Sequence, residues 1–533
     1  MTQWLPWLGL DIEEIGPDYV KVEYNPNRPD FSSYAGIARA IQGITELKLG
    51  LPEYNVKRSN VIINVDSSVA SVRPFIVGAV IRGLKLDRDA VKELMETQED
   101  LHWAIGRNRR KASIGIHNLD KVEPPFSYTT RDATFRFIPL DKDANMSIKE
   151  ILGKHEKGIG FRHLVENTTR YPIIVDRFDQ VLSFPPIING NLTRVTEDTR
   201  NIFIDATGPE VGAISHSLNI LVTAFADMGG TIESVSVKYP DHVEATPNLE
   251  PRKMELKLNH ASRLVGLQFS EKEAMHCLQK ARLGVKKKSR NNFEILVPAY
   301  RVDVMHEVDL IEDLVIGYGY YRLNPTVPST MTIGQPHATE KIAETARHLM
   351  TGFGFTEVVN FILINEETHY QKMLIEKGKP VKLANPVSLE YTMIRESLLP
   401  GLMKNLMDNR HESFPQKLFE IFDVVKVDET TETKTRRELH LGGVSSHPTA
   451  CYTEIKSVVE ALLADLGITK WKICESSYPS FILGRVAAIY YEDREVGKLG
   501  EIHPEVLNNF ELENPVVAFE INLDGIFRAR PKV

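Results

Sequence analysis

Val304, Val308, Ile311, Val315 and Tyr318 recur at intervals of four, three, four and three residues, the period of a helix with one buried stripe. Similar helical patterning runs through "SSYAGIARAIQGI", which turn residues and a Ser cap precede. It recurs in "DRDAVKELMETQEDLHWAIG" behind an Asp cap, and in "HSLNILVTAFADMGG", which two glycines stop. Between these lie short β-rich runs bounded by turn residues: "VIINVD", "PFIVGAVIRGL", "ASIGIHNLD", "RYPIIVD" and "NIFIDATG". The order of elements predicts a multidomain α+β chain. An N-terminal α/β region covers 1–75, a mixed α/β domain 76–245, a small helix–strand module 246–328, and a further α/β module 329–533, with "TVPSTMTIGQPH" as a linker. The opening "WLPWLGL" reads as the middle of an element, so an upstream segment is expected.

A chain of 533 residues is too long for one core and predicts roughly three to five domains. Its hydrophobic fraction of 42% and charged fraction of 26% are those of an ordinary globular protein. No apolar run is long enough to span a membrane. Three cysteines without a C-x-x-C pair support neither a disulfide framework nor a zinc site, and a cytoplasmic location is expected. A net charge of −8 excludes a surface that is basic throughout. Local clusters remain, in "GRNRRKAS" (Arg107, Arg109, Arg110, Lys111) and "VKKKSR", as solvated loops or as phosphate contacts.

Chemistry concentrates first in "RVDVMHEVDLIEDLVIGYGY", which holds Asp303, Asp309, Glu312 and Asp313. On a helix, Asp309, Glu312 and Asp313 are expected to share one exposed face, with Asp303 as the cap. Asp309 and Asp313 are like charges at i,i+4, which costs a helix about 0.2–0.5 kcal/mol, and no Lys or Arg lies between 302 and 321 to offset them. The plain reading is a polar helix face. The alternative is a hard divalent cation, which takes clustered carboxylate oxygens.

This segment, in "PAYRVDVMHEVDLIEDLVIGYGYYRL", resembles the corresponding domain of phenylalanine–tRNA ligase β chains of the archaeal and eukaryotic type. "YNPNRPDFSSYAGIARAIQG", "VLSFPPIINGNLTRVTEDTRNIFIDATG", "NPVSLEYTMIRESLLPGLMKNLMDNR" and "GKLGEIHPEVLNNFEL" resemble the family's N-terminal, editing and class II synthetase-like regions, in family order. The resemblance implies a Mg²⁺ site on D-x5-D-x2-E-[DE], shared with an α chain, and Asp303, Asp309, Glu312 and Asp313 fit that spacing. It also implies an (αβ)₂ heterotetramer in which the α chain binds ATP and attaches phenylalanine to its tRNA.

The C-terminal module is then expected to be a class II synthetase-like antiparallel sheet with helices, in degenerate form. Arg395 in "MIRESLLPG" runs into a helix where a second strand would follow, and the late glycine-rich arginine motif is missing. Arg395 is therefore read as a structural or interface residue.

Phenylalanine and tyrosine differ by one hydroxyl, which an apolar pocket rejects only roughly a hundredfold. A second site that welcomes the hydroxyl and hydrolyses the ester removes the error. The resemblance places Ser183, Asp205 and Thr207 in such an editing pocket, with Ile174 as a hydrophobic wall and Asn189 as a further contact. Ser183 precedes a Pro-Pro turn, and Asp205 and Thr207 alternate on a strand and so face one side. No Ser-His-Asp constellation is evident, and an oriented water is expected to attack. The alternatives are a non-editing structural tRNA-binding subunit and a free-standing binding module; an independent ligase is disfavoured by the missing arginines.

Overall fold

The computed structural model describes residues 2–327 and 332–527. The chain divides into two compact units, Met1–Val327 and Pro328–Val533. The predicted linker spans this division, and its residues 328–331 lie outside the described residues. Among the described residues, no helix is long and apolar enough to cross a membrane.

A mixed ten-stranded sheet dominates the first unit. Its strands are β1 (Lys57–Val65), β2 (Phe75–Arg82), β3 (Ser113–Asn118), β4 (Phe126–Arg131), β5 (Tyr171–Val175), β6 (Val181–Phe184), β7 (Ile188–Asn189), β8 (Ile202–Gly208), β9 (Thr231–Lys238) and β10 (Val243–Thr246). They stand in the order β7-β6-β5-β4-β1-β9-β2-β8-β3, with β10 beside β9. Strand β1 belongs to the N-terminal region by sequence, yet it lies mid-sheet in the domain that follows.

The longer helices accompanying the sheet are α1 (Tyr34–Ile44), α2 (Arg88–Trp103) and α3 (Val211–Asp227). The capping residues read from the sequence are in place, with Ser33 accepting from Gly36 N and Asp87 from Ala90 N. Alternation along β8 sorts its side chains. Ile202, Ile204 and Ala206 pack with Leu94 and Leu101 of α2 and Leu218 and Leu221 of α3. Phe203 joins Ile174 and Leu182 in a separate core. Each buried Ile, Leu or Phe among these contributes about 1.5–3 kcal/mol. Asp205 and Thr207 fall on the Phe203 side by the strand's period of two.

A three-stranded sheet follows, made of β11 (Arg252–Lys257), β12 (Gly284–Ser289) and β13 (Asn292–Val297) in the order β11-β13-β12. It is covered by α4 (Leu258–Val265), α5 (Glu271–Lys280) and α6 (Glu307–Tyr318). Helix α6 starts later than its apolar stripe suggests. His306 is the cap, its ring accepting from Val308 N, and the Asp309 carboxylate reaches back to His306 N in a capping box. Asp303 therefore lies before the helix and does not cap it.

The second unit is a seven-stranded sheet of β14 (Thr356–Glu357), β15 (Gln416–Val427), β16 (Thr435–Ser446), β17 (Trp471–Glu475), β18 (Phe481–Tyr491), β19 (Arg494–Ile502) and β20 (Val516–Asn522). Their order is β14-β15-β16-β20-β19-β18-β17, antiparallel except for the β14–β15 pair. Helices α7 (Ala338–Gly352) and α9 (Tyr452–Asp465) cover one face through Ala346, Met350, Ile455 and Val459 against Phe419, Leu441 and Phe519. Helix α8 (Leu399–Asp408) follows Arg395, where the sequence predicts a helix.

Candidate functional site

A cavity of about 520 Å³ opens in the first unit between α2, strands β3 and β8, and the segment 183–195. Its wall is apolar at Val91, Ile116 and Ile187, and carries polar groups at Ser183, Asn189, Thr193 and Asp205. An apolar cleft with a few convergent polar groups is the usual form of a small-molecule site.

Ser183 is 2% exposed, and its Oγ is buried without a hydrogen-bond partner. A hydroxyl in that state costs about 1–3 kcal/mol of lost hydration, so a wall that keeps one is incomplete until something polar enters. Asp205 is 1% exposed, and its Oδ2 lies 2.7 Å from His117 Nε2. The other ring nitrogen, Nδ1, lies 2.8 Å from Thr193 Oγ1. The Thr193 hydroxyl also lies 3.2 Å from Gly190 O, to which it donates, so His117 bridges Thr193 and Asp205 through its two ring nitrogens. Strands β3 and β8 pair Gly115 directly with Asp205. A Cβ at 115 would stand 2.3 Å from Asp205 Oδ2 and 2.5 Å from His117 Nε2, so this pair needs glycine beside it.

Of the residues expected in this pocket, Ser183, Asn189 and Asp205 line the cavity, and Ser183 and Asn189 are cross-strand partners. Thr207 does not line it. Its hydroxyl accepts from Arg73 Nε at 2.9 Å and its carbonyl from Arg73 Nη2 at 2.5 Å, so it anchors a buried arginine beneath Asp205. Burial brings the Arg73 pKa down to about 10, against the pull of Tyr128 and Asp205. Ile174 pairs with Ser183 across β5 and β6 but is fully buried in the core with Leu182 and Phe203. It backs the wall and does not form it.

Sequence reasoning missed His117, placed inside "ASIGIHNLD". A histidine alternating in phase with Ser113 and Gly115 on a strand was a legible sign that it faces away from the helices. That its partner is Asp205 follows only from the β3–β8 register. His216, the histidine that stands near in sequence, is half-buried at the start of α3, and burial lowers its pKa.

The basic loop divides. Arg107, Asn108 and Arg109 hold left-handed φ values of 49°, 54° and 67°, which turn Arg109 inward. Its guanidinium donates to Ile187 O at 2.9 Å and Glu99 Oε1 at 2.8 Å and lies over the Phe161 ring. Arg109 thus fixes the segment that carries the Pro-Pro turn. Burial pushes the Glu99 carboxyl up, but His102, Arg109 and Lys157 outweigh it and hold it well below the usual range. Arg107 and Arg110 stay exposed, and Lys111 pairs with Glu210. In "VKKKSR", Lys287 pairs with Glu271 and Lys288 with Glu255, as in a solvated hairpin.

The acidic segment departs from its expected layout. Asp313 is buried on the inner side of α6, not on a shared exposed face. Arg301, one residue outside the span without basic residues, donates to Asp303 at 2.8 and 2.7 Å and to Asp313 at 3.1 and 2.9 Å. Burial raises Asp313 to about 6 even so, with Asp303 adding to the rise and Arg301 opposing it. Asp309 Oδ2 accepts from Met305 N and His306 N, both at 2.6 Å, while Glu312 is exposed. Among the described residues, no three His, Cys, Asp or Glu side chains come together to hold a metal ion.

Arg395 is 2% exposed and pairs with the buried Glu420 at 2.8 Å, and its Nε donates to Asp423 O. That is the structural role read from the sequence.

Three family models match the chain: the phenylalanyl tRNA synthetase beta chain CLM domain over residues 323–523, the tRNA synthetase B5 domain over 254–320, and the B3/4 domain over 103–221. The last of these holds the cavity. The phenylalanine–tRNA ligase beta subunit of Archaeoglobus fulgidus is 45% identical over 98% of this chain and 94% of its own length. That of Pyrococcus abyssi is 40% identical, over 97% and 93%. A crystal structure of an N-terminal fragment of the phenylalanyl-tRNA synthetase beta-subunit from Pyrococcus horikoshii superposes with a TM-score of 0.58 at 38% identity. It covers 60% of this chain and 93% of that fragment. With identity at this level along nearly its whole length, the chain belongs to the family of phenylalanine–tRNA ligase beta subunits.

Proposed function

We propose that this chain edits tRNA mischarged with tyrosine, and that it supports aminoacylation carried out by an α chain in an (αβ)₂ assembly in the cytoplasm. The observation that carries the editing reading is the unpartnered Ser183 hydroxyl, set in the wall of a cavity that also holds Asp205. A tyrosyl ester brings two groups that such a wall can satisfy, a phenol hydroxyl and an α-ammonium. Ser183, with Asn189 across the strand pair, receives the phenol. Phenylalanine leaves the Ser183 hydroxyl unsatisfied, which is how a polar pocket discriminates.

Asp205, oriented by His117 and Thr193, holds the ammonium and the attacking water near the ester. Water adds to the carbonyl carbon and the bond to the ribose oxygen breaks. That oxygen takes a proton, releasing tyrosine and free tRNA. Thr207 and Ile174 act behind this wall, Thr207 by accepting hydrogen bonds from the Arg73 N–H groups.

The C-terminal unit is read as a class II synthetase-like module without synthetic chemistry. Its one candidate arginine for ATP phosphates, Arg395, is buried in an ion pair with Glu420. ATP and phenylalanine are accordingly assigned to the α chain. Of the four carboxylates, Asp309 and Glu312 are not paired with Arg301 and would hold the Mg²⁺ that the family resemblance implies, Asp309 through Oδ1, since its Oδ2 accepts from Met305 N and His306 N. Asp303 and Asp313 share theirs with Arg301, so this chain presents an incomplete set that a partner's oxygens would fill. Bound there, the ion would neutralise the surplus carboxylate charge at the subunit boundary.

The test is the accumulation of tyrosyl-tRNA by the assembled α and β chains. Little should build up with the wild-type chain, and Ser183→Ala or Asp205→Ala should let it build up while phenylalanine charging continues. Equal accumulation by all three would leave the chain a structural tRNA-binding subunit.

A further inference from the structure

A second cavity, of about 30 Å³, lies away from the editing pocket, between α1, the 280–282 turn and the segment 300–317. Its lining holds Arg28, Arg39, Lys280, Arg282 and Arg301 against only Asp30 and Asp313. Four of the five cations have a carboxylate of their own. Arg28 is bidentate on Asp30, Arg39 reaches Asp227 at 2.9 Å, Lys280 reaches Glu46 at 2.7 Å, and Arg301 serves Asp303 and Asp313.

Arg282 differs. It is 8% exposed, and its Nε and Nη1 are buried without a hydrogen-bond partner. Among the described residues no carboxylate pairs with it. It also sits at a left-handed φ of 63°. Its stem lies on α1 where Gly43 admits it, since a Cβ at 43 would come 2.9 Å from Arg282 Cδ. Across the same cavity Arg39, 4% exposed, leaves its own Nε and Nη2 buried and unpartnered.

A guanidinium does not shed its proton, and a buried charge without a counter-charge is strongly disfavoured. The nearby acids are already engaged, and every orphaned group facing the cavity from these two arginines is a donor. Water would satisfy some of these N–H groups, but it would bring two further donors and no charge. An acceptor that only accepts fits better. A cavity of about 30 Å³ has room for a single small ion. We propose that Arg39 and Arg282 form a binding site for one small monovalent anion of chloride size, which locks α1 to the 280–282 turn.

The test compares the thermal unfolding of the full chain in chloride and in gluconate, an anion too large for the cavity, at matched ionic strength and pH. Binding to the folded state predicts a Tm that climbs by about 2 °C for each tenfold rise in chloride and stays flat in gluconate. Arg282→Met should abolish the difference between the two salts. A difference that persists in a folded Arg282→Met chain overturns the proposal, as does a wild-type chain that unfolds alike in both salts. Should the variant fail to fold, crystals of the wild-type chain soaked in bromide decide. An anomalous peak between Arg39 Nη2 and Arg282 Nη1 supports the site, and a map with no bromide there refutes it in favour of ordered water.

Discussion

Replacing Ser183 with alanine separates a ligand-binding hydroxyl from a structural one, because the two roles predict opposite signs. In the free protein the Ser183 Oγ is buried and unpartnered, so its removal relieves the protein of a group that costs about 1–3 kcal/mol to desolvate. Ser183→Ala should therefore be neutral or should raise the unfolding free energy by up to about 1 kcal/mol, readable as a shift in the urea midpoint at unchanged slope. In the complex with a tyrosyl ester the same hydroxyl gains a neutral hydrogen bond of about 0.5–1.5 kcal/mol. Its loss should lower kcat/KM for ester hydrolysis by about 2- to 13-fold. The discriminating assay measures both quantities on one preparation. A variant that loses stability by more than about 1 kcal/mol yet hydrolyses tyrosyl-tRNA at the wild-type rate would refute the assignment of Ser183.

Three further outcomes are expected. Thr207→Val removes the acceptor of Arg73 Nε and should destabilise the protein by about 1.5–3 kcal/mol in urea unfolding, the range for hydrogen bonds to charged groups. A large loss of hydrolysis at unchanged stability would instead place Thr207 at the substrate. In the second unit, burial disfavours the charge of His440, but Glu438 and Glu520 outweigh it and raise its pKa above 6.5. The His440 contact brings Glu438 down to about 2; burial raises Glu520, yet His440 and Lys498 bring it down to about 2 as well. The raised histidine stabilises fully below 6.5 and less as pH climbs through its folded value. The two lowered carboxyls stabilise fully above 4.5 and lose this toward 2. Tm against pH should peak between these limits, and His440→Gln should flatten the decline on the alkaline side; an unchanged decline contradicts this. Finally, Asp309→Ala with Glu312→Gln should raise the Mg²⁺ concentration for half-maximal phenylalanine charging by the assembled enzyme, and EDTA should inactivate the variant before the wild type. Identical Mg²⁺ titrations would remove these two residues from the metal site.

Local patterning made several elements legible. The caps at Ser33 and Asp87, the glycine stop after α3 and the helix after Arg395 stand where short-range chemistry put them. What escaped were partnerships set by distant strands and turns. His117 meets Asp205 because β3 pairs with β8, 88 positions apart in the chain, and no local signal encodes that register. Arg109 looked like one of four surface cations, and three consecutive left-handed residues turned it into the wall of the cavity. The acidic helix misled for a related reason. Its apolar periodicity runs back to Val304, but the capping box of His306 and Asp309 starts the helix later. Asp303 and Asp313 were thus free to meet Arg301, the buried counter-charge just beyond the stretch that lacks basic residues.

The most direct test of the account is the hydrolysis of purified tyrosyl-tRNA, made on phenylalanine tRNA, by the assembled α and β chains, comparing wild type with Asp205→Asn. The asparagine keeps a side-chain oxygen for His117 but removes the charge in the cavity. Rapid release of tyrosine by the wild type is expected, with a loss of roughly a hundredfold in the variant and unchanged phenylalanine charging by both. Hydrolysis at equal rates in the two proteins, or none above buffer in either, would contradict it.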